Sequence, residues 1–62
     1  MTKKEKKIIK DLAMAMTRCQ VLKNPDARKT VIVYGANALW RLLREQYEGA
    51  EDSVNTINEL IK

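Results

Sequence analysis

Pro25-Asp-Ala-Arg-Lys-Thr-Val-Ile-Val-Tyr-Gly-Ala-Asn-Ala-Leu-Trp-Arg-Leu-Leu-Arg-Glu-Gln-Tyr-Glu48 admits two readings, and they lead to different fold classes. Wound into a helix, its apolar or small side chains cover most of the circumference. Ile32, Ala36, Leu39, Trp40, Leu43 and Tyr47 fall on one side, and Val31, Gly35, Ala38 and Leu42 on the other. Thr30, Asn37, Arg41 and Arg44 make a narrow polar stripe. A helix that is apolar nearly all round has to be covered on several sides. Two short neighbours from the same chain would struggle to do that, whereas a homodimer with this helix at its centre would succeed. Gly35 and Ala38 are small enough to admit a second helix. Val31, Gly35, Ala38, Leu42 and Trp40 are therefore the expected self-association residues.

The competing reading breaks the stretch in two. Thr30-Val-Ile-Val-Tyr34 is β-branched and aromatic, which favours a strand. Gly35 would end that strand and Asn37 would cap a helix from Ala38 to Glu48. A single strand needs a partner, which only another chain could supply. Strand, helix, helix in a dimer is the order of a ribbon-helix-helix repressor. Here, however, the strand would follow a long helix, and its faces lack the polar–apolar alternation of a groove reader. The continuous helix, 25–48, is the reading adopted.

Working outward, Asn24-Pro25 marks its start, because proline suits the first position of a helix behind an asparagine cap. Gly49 marks its end, since glycine readily takes the left-handed conformation that closes a helix. Upstream, Thr2-x-x-Glu5 is a capping box. Ile8, Leu12, Ala15, Cys19 and Leu22 then recur at helical spacing, widened by Ile9, Ala13 and Met16, so a helix is expected over 3–23. Downstream, Asp52 or Ser53 is the candidate cap of a short helix over 52–61 that buries Val54, Ile57, Leu60 and Ile61. That helix is too short to stand alone and must dock on the others. The expectation is an all-α, three-helix small domain spanning 1–62, dimerising through its second helix.

At 62 residues the chain hides only ~60% of its unfolded surface on folding, so a lone core is marginal. One cysteine and no histidine exclude a disulfide or a structural zinc site within one chain, which leaves unusually efficient helix packing or self-association as the compensation, and self-association is the reading adopted. Cys19 lies in the apolar stripe and reads as a small buried hydrophobe. No secretion signal opens the sequence, and the longest apolar run, Val31 to Leu43, is shorter than the ~20 residues of a membrane span. A cytoplasmic, complete chain with no membrane contact is the expectation, and a lone unpaired thiol fits a reducing compartment.

The net charge of +4 conceals a split. Residues 1–44 hold eleven Lys or Arg against Glu5, Asp11 and Asp26, while residues 45–62 hold only Lys62 against five acids. Such asymmetry fits an anionic partner for the basic part, or an acidic end folded back on it. On the first helix, opposite the apolar stripe, Lys7, Lys10, Met14, Thr17, Arg18 and Val21 form an apolar pair ringed by basic and polar groups, the expected protein-docking face. Lys3, Lys4 and Lys6, with Asn37, Arg41 and Arg44 of the second helix, are the residues for nucleic acid in the alternative reading. Against that, Arg41 with Glu45 and Arg44 with Glu48 are spaced to neutralise one another. Asn37, inside the most apolar stretch, would fix register in a dimer. Trp40, Tyr34 and Tyr47 are assigned to core or self-interface. The polar run 51–58 resembles a recognition helix in composition, but it lies in the acidic part of the chain and phosphates would repel it.

Without histidine the usual general base is missing, and no phosphate loop, paired-carboxylate site or nucleophile motif is present. The expected function is a non-catalytic interaction protein without cofactor or metal, a homo-oligomer that binds another protein. A short basic chain of this kind suits an accessory protein of a phage or other mobile element that modulates a host protein. The alternatives are a small dimeric DNA-binding regulator and an assembly protein whose only partner is itself.

Overall fold

In the computed structural model, which describes residues 1–61, the chain is all-α. α1 runs Lys3–Arg18 and continues as one 3-10 turn, Cys19–Val21; α2 runs Pro25–Leu43 and α3 Tyr47–Leu60. The capping box forms: the Glu5 N–H donates to Thr2 Oγ1 at 3.1 Å and the Thr2 N–H donates to Glu5 Oε1 at 2.9 Å. Those bonds to Thr2 hold the Glu5 carboxyl below its ordinary pKa. Past Arg18 the helix tightens and then stops short of the expected residue 23. Leu22 is already extended, and Asn24 is extended as well, because the ring of Pro25 disfavours helical geometry in the residue before it. The Asp26 N–H then donates to Asn24 Oδ1 at 2.8 Å, and α2 begins.

Thr30 to Tyr34 lie inside α2, and no strand occurs among the described residues. The helix ends at Leu43, not at 48, and the residue that ends it is Glu45 rather than Gly49. Glu45 has φ 60°, the Glu45 N–H donates to Leu42 O at 3.0 Å, and the Gln46 N–H donates to Arg41 O at 2.8 Å. These two bonds are the Schellman closure. A left-handed glutamate costs roughly 1 kcal/mol against glycine. Gly49 has ordinary helical geometry in the first turn of α3, and its role is space. A Cβ there would meet Arg41 Nη1 at 2.5 Å, because the Arg41 side chain lies across this turn. α3 thus starts five residues before the expected cap. Ser53 is a buried mid-helix hydroxyl donating to Gly49 O at 3.1 Å.

The helices run up, down and up. Met16, Cys19 and Gln20 of α1 flank Arg28, Val31 and Ile32 of α2 at one end, while Met1, Glu5 and Ile9 flank Leu39, Leu42 and Leu43 at the other. Lys7, Ile8 and Asp11 lie beside Glu51, Val54 and Asn55, so α1 and α3 are parallel. Ile8, Leu12, Ala15 and Cys19 of α1 meet Val31, Ala38 and Leu42 of α2 and Ala50, Val54 and Ile57 of α3 in one core. Among the described residues, Ile8 and Ile57 are the largest side chains that are fully enclosed.

Four of the five expected self-association residues, Val31, Gly35, Ala38 and Leu42, belong to this core. The small side chains do admit close neighbours, but those neighbours are α1 and α3 of the same chain. Met16 shows this: its Sδ would lie 3.1 Å from a Cβ at Gly35.

Candidate interaction surfaces

Turning the small side of α2 inward turns its large side outward. Ile32, Val33, Leu39, Trp40 and Leu43 are all exposed, Trp40 by 55% and Leu43 by 84%. Trp40 is the one expected self-association residue on this outer face. The sequence places Ile32, Leu39 and Leu43 on the same side as Trp40 without giving them a self-association role, and it places Val33 on neither side; the bulk of these side chains beside the small inner row is the available signal. Where α2 meets the start of α1, a cleft of about 350 Å³ opens, lined by Met1, Ile9, Leu39 and Leu43 among others.

The outer side of α1 forms a second surface. Lys7, Lys10, Met14, Thr17, Arg18 and Val21 are exposed together, Val21 by 72%, and Ala13, Met14, Thr17 and Arg18 line a shallow cleft of about 270 Å³. Thr17 turns its hydroxyl back to Ala13 O at 2.7 Å, which presents its methyl outward. Lys7 is less available than its neighbours. Its ammonium lies 2.9 Å from Asp11 Oδ2, and that bond holds it above the ordinary lysine pKa, with Glu51 of α3 adding to the field. Both partners are exposed, so the pair adds little stability.

The acidic part of the chain does fold back on the basic part, at one end. Lys4 sits 5.6 Å from the Tyr47 ring, in a shallow depression shared with Glu45 and Glu48, and Lys7 faces Glu51. Lys3, Lys4 and Lys6 are exposed there, and so are Asn37, Arg41 and Arg44 on α2. The expected neutralising pairs do not form. Because α2 ends at Leu43, Glu45 and Glu48 are no longer one helical turn beyond Arg41 and Arg44. Arg41 lies along Gly49, and the Arg44 guanidinium stacks 4.8 Å from the Trp40 ring centre.

Cys19 is buried, and burial pushes its thiol pKa up, so it is a packing residue with little thiolate character. Among the described residues no three His, Cys, Asp or Glu side chains are grouped to hold a metal ion, and no helix is long and apolar enough to cross a membrane. No protein-family model, no curated protein and no solved structure matches this chain.

Proposed function

We propose that this chain is a non-catalytic interaction protein that binds another protein through the outer side of α1. The observation that carries the reading is the exposure of Met14 and Val21 on the same side as Lys10, Thr17 and Arg18, with Met14, Thr17 and Arg18 lining a shallow cleft. Aromatic, methionine and arginine side chains ringed by polar groups are the composition of interface cores. Lys10 and Arg18 make no ion pair among the described residues, so a partner with acidic residues around an apolar contact fits this face. The accessory-protein setting suggested by size and charge selects a bacterial lysate for the test. The purified chain should retain a stoichiometric protein after nuclease treatment, and Lys10→Glu with Arg18→Glu should lower that retention at least ~10-fold. Unchanged retention in the double variant would remove this face.

A DNA-binding regulator is the second reading, supported by the exposed Asn37, Arg41 and Arg44 and by the cations around the α1–α2 connector, Arg18, Lys23, Arg28 and Lys29. It predicts capture that disappears with nuclease and affinity that falls steeply with salt. The carboxylates of Glu45, Glu48 and Glu51 beside the α1 lysines weigh against phosphate binding at that end.

A further inference from the structure

The outer face of α2 reads nearly alike in both directions from Ala36. Val33 and Leu39 stand three residues to either side and Ile32 and Trp40 four; the likeness ends at seven, where Lys29 stands opposite Leu43. A face with this symmetry is self-complementary under a two-fold axis, with the same patch used by both partners. The residue at its centre is an exposed alanine, small enough for two backbones to approach. We infer that a second copy of this chain covers the face, with the two α2 helices antiparallel and the two-fold axis near Ala36. The inference rests on the interaction-protein reading and adds what occupies the surface that reading leaves open.

Area supports a second copy. The chain exposes 4674 Å², whereas a monomer of its 7.2 kDa is expected to expose roughly 4,100 Å². The five large apolar side chains of α2 present on the order of 500 Å², the upper range for the largest patch of an ordinary monomer. The cleft lined by Met1, Ile9, Leu39 and Leu43 extends the patch sideways, toward the ~800 Å² per partner of a stable interface. Parallel pairing sets Arg28 and Lys29 against their own copies, which repel. Antiparallel pairing about Ala36 sets Arg28 opposite Arg44, also a cation, and Lys29 opposite Leu43 beside Glu45. Charge is therefore nearly balanced between the two, and the near-symmetry of the apolar positions selects the antiparallel orientation. The outer side of α1 stays free in the antiparallel arrangement.

The test uses the purified full chain. Sedimentation equilibrium should give a dimer at micromolar concentration, and Trp40→Asp should weaken it by ~30-fold or more while circular dichroism keeps its helix content, because Trp40 is more than half exposed and is not one of the buried core residues. Orientation is read by disulfide trapping under mild oxidation. Ala36→Cys should crosslink across the axis. Leu43→Cys should not, because the two copies lie about 21 Å apart along antiparallel helices, beyond the ~7 Å between Cα atoms that a disulfide allows. The parent chain, with Cys19 buried, is the uncrosslinked control. A monomer up to hundreds of micromolar overturns the inference. So does trapping of Leu43→Cys, which indicates parallel pairing, or a monomer whose protein capture is abolished by Trp40→Asp, which assigns the face to a different protein. Lys10→Glu with Arg18→Glu should leave the dimer intact. A dimer that captures nothing therefore sinks the partner reading alone, and a monomer that still captures through α1 sinks this inference alone.

Discussion

The two sides of α2 invert the usual distribution of side-chain size. The inner side buries Val31, Gly35, Ala38 and Leu42, and the outer side exposes Ile32, Val33, Leu39, Trp40 and Leu43. Small inner residues let α1 and α3 approach closely, and close approach keeps a short chain's core free of large voids. The bulk that remains outside cannot be covered by the same chain. The difference teaches that apolar content alone does not locate a core; the sizes of the side chains decide which neighbour each face can accept.

The strongest way to break the comparison is to place the same charge on each side. Val31→Asp puts an unpaired carboxylate in the core and should cost at least ~3 kcal/mol, leaving the chain unfolded at ambient temperature. Val33→Asp, two residues on and 57% exposed, should stay within about 0.5 kcal/mol at concentrations where the chain is monomeric. Thermal melts by circular dichroism would separate the two, and equal losses would mean that the sides are not distinct.

That distinction was half legible in the sequence. Periodicity separates Val31, Gly35, Ala38 and Leu42 from Ile32, Leu39, Trp40 and Leu43, though it leaves Val33 in neither set and counts Tyr47, which lies in α3, with the second; the capping box at Thr2 and the Asn24-Pro25 start of α2 are where their residue types require. What periodicity lacks is the identity of the neighbour on each set. The small row was therefore assigned to a second chain when α1 and α3 already fill it. The end of α2 was misplaced for a local reason. Glycine is the usual left-handed residue, so Gly49 drew the boundary, while the chain turns at Glu45 and accepts the strain. Ser53 misled in the same way, because a serine hydroxyl satisfies a carbonyl four residues back as readily as it caps a helix. Lys7, Lys10, Met14, Thr17, Arg18 and Val21 are all exposed, because a clean amphipathic stripe fixes the opposite face as well.

A middle-sized effect sharpens where both sides of α2 stop. Glu45→Gly should relieve the left-handed strain and stabilise the chain by about 0.5–1 kcal/mol, seen as a higher melting temperature with unchanged helix content. A loss of stability would mean that the glutamate contributes more through charge than its backbone costs. The smallest effect probes how tight the inner side is. Gly35→Ala gains about 0.5–1 kcal/mol of helix propensity, and its new methyl meets only the end of the flexible Met16 side chain. The net change should be a gain of a few tenths of a kcal/mol by denaturant titration. A loss above 1 kcal/mol would show that Met16 is pinned.

The parallel course of α1 and α3 also shapes how the molecule behaves before it touches anything. The body is 34 Å long, and at one end the lysines of α1 stand among Glu45, Glu48 and Glu51. At the other, Arg18, Lys23, Arg28 and Lys29 surround the connector, against Asp26 and, at the far end of α3, Glu59. The net charge of +4 therefore acts as a lever arm rather than a uniform coat. In the field of a negatively charged surface the molecule rotates connector-first, so its angle of arrival is set at long range, before any side chain makes contact.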